Sequence, residues 1–246
     1  MLDTGVTTTT DEQVMEMARV GVIYGHKKAK THPRMRPFIG GNRNDNELLD
    51  PEATLGGLAR AIAFIKEKVA NNGSMLLVGT QAAAREAVMG LAEEFKFPYV
   101  TTRWLGGTLT NFKVITDRLA YYQNLKVKRE SGDLAKYTKK EQLGFSKEIA
   151  KLSKMFDGLS AFKKLPDVIF VVDSNIHSTV VHEARLLRIP LVAVIDTDDD
   201  PALIDYPIFG NDHSRSSIAW IVDRIKVDLK EARTAEAQNV QPPAIN

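Results

Sequence analysis

The richest candidate for chemistry is the stretch GHKKAKTHPRMRPFI, Gly25 to Ile39. His26, Lys27, Lys28, Lys30, His32, Arg34 and Arg36 lie at irregular spacing, not on one helical face. In an extended chain such cations can follow a phosphate backbone, with Arg forking onto phosphate and His offering a stacking face. A solvated, tail-like strip is the plainer reading. Met35, Phe38 and Ile39 argue against it, because apolar anchors among the charges would pin the segment to a core. Arg103 and Trp104 add a second cation and a second stacking surface.

Three other stretches invite a catalytic or cofactor reading. In LLVGTQAAAREAVMG, Gly79 stands between a strand-like run and a helical run, where dinucleotide-binding folds seat a pyrophosphate. Only one glycine is present where G-x-G-x-x-G is needed, and no Walker motif occurs, so a simple turn is preferred. In IDTDDDPALID, Asp196 and Asp205 could share a structural Mg²⁺, with Asp212, His213 and His26 as further ligands. The preferred alternative has Asp198 to Asp200 capping turns and Pro201 opening a short helix. The histidines form no H-E-x-x-H pair, His177 and His182 being five apart, and no G-x-S-x-G is present. Nothing here requires an enzyme, and no cofactor is expected beyond that possible ion.

The last stretch is RWLGGTLTNF, Arg103 to Phe112. It could cradle a phosphate or act as a hinge out of a sheet. The hinge is preferred: Gly106 and Gly107 permit a sharp turn, and Thr108, Thr110 or Asn111 can cap the helix that follows.

The elements that would position these residues alternate. A short helix is expected over Asp11 to Val20, and a small hairpin within PFIGGNRNDNELLD. Asp50 reads as an N-cap and Pro51 as the first residue of a helix to about Asn71. SMLLVGT, PYVTT, PDVIFVVD and IPLVAVID read as buried strands with helices between them, and YPIFG as a last short strand. A closing helix is expected over Ser214 to Ala232. This order implies a parallel sheet with helices on both faces. Between its halves, apolar residues fall at Phe112, Ile115, Leu119 and Tyr122, and again at Phe145, Ile149, Leu152, Phe156 and Leu159. That heptad spacing predicts an inserted antiparallel, coiled-coil-like helical hairpin, tipped near Ser131 to Thr138. The expected divisions are an N-terminal segment (1–20), a first α/β part (21–105), the hairpin (106–163), a second α/β part (164–233) and a disordered tail (234–246).

Charge is segregated along the chain. Arg19 to Arg43 holds seven Lys or Arg and no Asp or Glu, and Arg103 to Leu165 holds fourteen against six. The remainder holds twelve against twenty-five, so the net charge of +2 hides two basic zones on an acidic body. Such a layout suits docking onto a polyanion in one orientation. For the hairpin zone alone, solvated helix faces are the preferred explanation. There is no cysteine, which excludes disulfides and thiolate zinc sites. The polar start MLDTGVTTTTDEQ is not a signal peptide, and no apolar run nears the ~20 residues of a membrane span. A soluble, cytoplasmic protein without membrane contact is expected.

Three motifs together carry a family resemblance. GHKKAKTHPRMRPFI is similar to a Gly-His, basic stretch and Asn-Pro-Lys-Met-Lys-Pro-Tyr-Ile pattern. RWLGGTLTNF resembles the most distinctive stretch of the same family, and LPDVIFVVDSN…HEARLLRIPLVAVIDTDDDPALIDYPIFGND resembles its C-terminal half. The family is small-subunit ribosomal protein S-two, in its bacterial form with a helical hairpin. Ile23, His32 and His177 depart from the family's usual residues. The resemblance implies a three-layer Rossmann/flavodoxin-like sheet with an inserted hairpin and no catalysis. It also implies 16S rRNA binding on the back of the small subunit, between head and body, beside neighbouring small-subunit proteins and ribosomal protein S-one. The residues it places toward rRNA are His26, Lys27, Lys28, Lys30, His32, Arg34, Arg36, Arg103 and Trp104.

Overall fold

A computed structural model describes residues 11–239. The Thr7 to Thr10 run and most of the expected tail lie outside that range. Five parallel strands form the main sheet: β4 (Met75–Val78), β5 (Tyr99–Val100), β6 (Val168–Val172), β7 (Leu191–Ile195) and β8 (Tyr206–Phe209), in the order β5-β4-β6-β7-β8. The three longest inner runs, MLLV, VIFVV and LVAVI, are buried at every position. That is what helices on both faces demand of a parallel sheet.

Alternate strand residues feed two cores. Met75, Leu77, Phe170, Val192, Val194 and Ile208 pack with α1 (Asp11–Val20), α2 (Pro51–Ala70), α3 (Ala82–Phe95) and α7 (Arg215–Asn239). Leu76, Val78, Ile169, Val171, Ala193 and Ile195 face the other way, toward α6 (Ser178–Leu186) and the root of the helical insertion. Asp50 caps α2 as expected, its carboxylate accepting from the Glu52 N–H at 3.1 Å. Helix α7 runs on to Asn239, past the point where a disordered tail was expected to begin.

A second, three-stranded antiparallel sheet holds β1 (Tyr24–Lys27), β2 (Ile39–Arg43) and β3 (Asn46–Leu49) in the order β1-β3-β2. Asn44 and Asp45, both at positive φ, turn β2 into β3 in the manner of a type I′ hairpin.

The insertion comprises α4 (Phe112–Glu130) and α5 (Lys139–Phe156). Ile115, Leu119, Tyr122 and Leu125 on α4, and Ile149, Leu152 and Phe156 on α5, are buried in one cluster. Phe112 meets Phe162 at 5.2 Å, and Tyr122 meets Phe156 at 6.4 Å, between ring centroids, so the helices run antiparallel. Thr138 opens α5 with a capping box: it accepts from the Glu141 N–H, and the Glu141 carboxylate accepts from the Thr138 N–H. The residues expected to cap α4 do not. Asn111 holds the cap position without a side-chain bond, and the Thr108 hydroxyl donates to the Leu105 carbonyl instead.

Candidate functional site

The basic segment is not simply extended. It leaves β1 through two short 3₁₀ turns, Lys28–Lys30 and Pro33–Phe38, which the prolines shape. Met35 is fully buried in the core shared with the hairpin root. The His32 N–H donates to the Thr197 carbonyl at 2.8 Å, and its imidazole Nδ1 accepts from the Arg34 N–H at 3.3 Å. The His26 N–H donates to the Thr197 hydroxyl at 2.8 Å. The segment is thus tied to the loop after β7, and Lys27, Lys28, Lys30, Arg34 and Arg36 stay exposed. Arg34 reaches the Asp200 carboxylate at 2.7 Å, while the other four form no salt bridge to a described residue.

His26 and His32 therefore have structural duties, as does Trp104. The Trp104 indole donates to Glu183 on α6 at 3.0 Å, and its ring packs on the hairpin-root core. Arg103 is exposed in the loop after β5. It shares the carboxyl end of the sheet with the basic segment, but β5 and β7 are three strand spacings apart, about 14 Å.

RWLGGTLTNF is both a turn and an anion cradle, and the anion is internal. The Gly107 N–H donates to Glu183 Oε1 at 2.8 Å. The Leu109 and Thr110 N–H groups donate to Oε2 at 3.0 and 3.1 Å, and the Thr110 hydroxyl at 3.2 Å. Gly107 sits at φ +88°, which favours glycine. Burial pushes the Glu183 carboxyl up, but the bonds from Trp104, Gly107, Thr110 and Leu109 outweigh it and leave the pKa lowered. Burying a carboxylate costs several kcal/mol, and each hydrogen bond to a charged group returns about 1.5–3 kcal/mol. No feature of HEARLLR marks this glutamate, because its partners are mostly backbone.

The acidic residues are sorted by strand end. Asp205 lies at the start of β7, accepting from the Leu191 N–H at 2.9 Å, whereas Asp196 follows the end of β7. Five strand residues, about 16 Å, separate them, so they cannot share an ion. Asp196 instead joins residues from other strand ends. Among the described residues, His26, Asp196 and His213 bring one ligand atom each within 4.8 Å of one another, as do Asp173, Asp212 and His213. Asp173, Asp196 and Asp212 follow β6, β7 and β8, a pattern legible once the strands are drawn. Mixed imidazole and carboxylate donors suit a divalent transition ion better than Mg²⁺.

Proton equilibria here are displaced. The Asp196 carboxylate, 3.2 Å from its Nδ1, raises the His26 pKa despite burial. His213 is pushed up to about 9, chiefly by its hydrogen bond to Asp212, while burial and neighbouring carboxylates raise Asp212. Burial raises Asp199 to about 6, and the Ser174 hydroxyl donates to it.

Beside Gly79 the protein's own side chains pair with one another. The Thr80 hydroxyl lies 3.1 Å from His177 Nε2, and the Gln81 amide donates to Asp173. A Cβ on Gly79 would lie 2.8 Å from Val88, so this glycine lets α3 pack on the strand end.

On α5, Lys140, Lys147, Lys151 and Lys154 are exposed at spacings of seven, four and three, which puts them on one helix face. The two glutamates of α5 are already engaged: Glu141 caps the helix, and Glu148 accepts from the Tyr121 hydroxyl at 3.1 Å.

The family profile described as ribosomal protein S2 matches residues 17–232. The chain belongs to the ribosomal protein S2 family. The match spans both α/β halves, the basic segment and the hairpin. S2 is a structural, non-enzymatic family of the small ribosomal subunit, and this chain has that structural role. Among the described residues no helix is long and apolar enough to cross a membrane.

Proposed function

We propose that this chain binds 16S rRNA on the back of the small subunit, between head and body, beside neighbouring small-subunit proteins, in the cytoplasm. It also helps dock ribosomal protein S-one. Family membership supports the location and the partners. The observation that carries the RNA reading is the basic segment: Lys27, Lys28, Lys30, Arg34 and Arg36 are exposed on a backbone pinned by buried Met35 and by bonds to Thr197. A pinned row of cations loses less freedom on meeting phosphates than a loose tail does. His26, His32 and Trp104 then act mainly behind this surface, and Arg103 forms a separate contact. The lysine face of α5 supplies a further run of about 21 Å for phosphates to follow.

The alternative, a nucleotide- or metal-dependent α/β enzyme built on Gly79 and the Asp196–Asp205 run, has less support. The side chains beside Gly79 are engaged with one another, and the two aspartates stand apart. The test is sedimentation with small subunits stripped of this protein, over a range of salt. Association that weakens steeply with salt supports the reading. Absent or salt-insensitive association removes it.

A further inference from the structure

We propose that Glu183 is the positioning residue of the helical insertion, and that α6 sets the angle at which α4 and α5 leave the sheet by holding loop 104–110 on its carboxylate. Five donors converge on this one buried side chain: the Trp104 indole, the N–H groups of Gly107, Leu109 and Thr110, and the Thr110 hydroxyl. Glu183 is only 4% exposed, so water cannot take its place on the loop. The loop needs such a ligand. Gly107 is in the left-handed region, and three N–H groups turn toward one point, a nest that favours an anion. A loop of this shape in another protein would take its anion from solution, but here the fold supplies it.

The exit from the insertion is fixed separately. A Cβ on Gly158 would lie 2.3 Å from the Tyr99 carbonyl oxygen, and the Thr102 hydroxyl donates to the Lys154 carbonyl at 2.5 Å. With the exit anchored, the entry loop controls the remaining rotation. The lever is long: α4 has 19 residues, about 28 Å, so a 10° change at the loop moves the tip by about 5 Å.

The absence of cysteine allows a direct test. Nitroxide labels on Glu130→Cys, at the end of α4, and Asp223→Cys, on the exposed side of α7, report the tip-to-body distance by pulsed electron resonance. The distribution is expected to be narrow in the parent chain. In Glu183→Ala and Glu183→Gln it broadens about twofold, while amide exchange speeds up at 107–112 and stays protected in β4 and β6. An unchanged width in both variants overturns the proposal. So does a loss of protection spread equally through the sheet, because that marks a general core residue. Should Glu183→Ala not fold, Trp104→Phe with Thr110→Val decides. It removes two donors and leaves the carboxylate, and a width and loop exchange equal to the parent's would sink the idea.

Discussion

The imidazole of His26, at the end of β1, stands 3.2 Å from the Asp196 carboxylate that follows β7, so one ion pair joins the small antiparallel sheet to the large parallel one. The basic segment begins at this joint.

The joint gives stability a pH dependence. The folded-state pKa values of His26 and His213 are raised, so their contributions are full below the ordinary histidine value of about 6.5 and fall as pH rises through the folded values, about 9 for His213. Asp199, raised to about 6, acts in the same direction at lower pH: folding favours its protonated form, and that advantage is gone above its folded pKa. Metal-free protein should therefore melt at a lower temperature near pH 10 than near pH 6.5. His26→Ala should reduce the difference. Thermal melts of both forms, read by circular dichroism across that range, check this.

On the acid side the insertion responds first. The Glu183 pKa is lowered, so its contribution is complete above the unfolded carboxyl value and is lost as pH falls through the folded one. Below about pH 4, amides 107–112 should lose protection before those of β6 do. Hydrogen exchange at several acidic pH values would show the order, and simultaneous loss would contradict it.

Close packing at the root sets a third expectation. Gly158→Ala places a methyl carbon against the Tyr99 carbonyl, with no flexible side-chain end to yield. The cost should be about 1–3 kcal/mol, typical of overpacking. Urea denaturation of the variant is the measurement, and a change within the error of the midpoint would show that the root relaxes freely.

For RNA, the two central arginines should not be equal. Arg36 is exposed and forms no salt bridge to a described residue, whereas Arg34 already holds Asp200 at 2.7 Å. Arg36→Ala should weaken association by about tenfold near 0.1 M salt and flatten the log–log salt dependence by about one unit. Arg34→Ala should lose less, because the arginine gives up an ion pair to reach phosphate. Filter binding to 16S rRNA over a salt series separates the two.

The turn after β4 should not take up a nucleotide. NAD or ATP should leave the melting temperature unchanged, because Thr80, Gln81, His177 and Asp173 satisfy one another where a phosphate would sit. A saturable upward shift would restore the enzyme reading.

How much of this was legible follows from where each signal lies. The α4–α5 pair was readable because its apolar period repeats and nothing interrupts it, and Ile115, Leu119, Tyr122, Ile149, Leu152 and Phe156 are indeed buried. The strands were readable as unbroken apolar runs. In the acidic run the preferred capping reading holds at Asp200 and Pro201, while Asp196 and Asp205 are parted because nearness in sequence is distance in space when a strand lies between. Glu183 was invisible: a single acid in a charged helix looks solvated, and backbone N–H groups leave no mark in sequence. Trp104 offers an aromatic face that suggests base stacking in sequence, yet its N–H is committed inward. Polar residues with long-range partners are the ones local patterns miss.

The two ends of the described chain close on each other. The Asn211 N–H donates to the Val22 carbonyl, the Ser216 hydroxyl to the Val20 carbonyl, and Arg224 on α7 pairs with Glu16 on α1 at 2.8 Å. Trp220, Ile221 and Ile225 of α7 share a core with Met17 and Val22. Residues 17–23 thus depend for their packing on a helix about 200 residues further along the chain. A lesion in α7 is therefore felt at the base of β1, where the basic segment starts, although the two are remote in sequence.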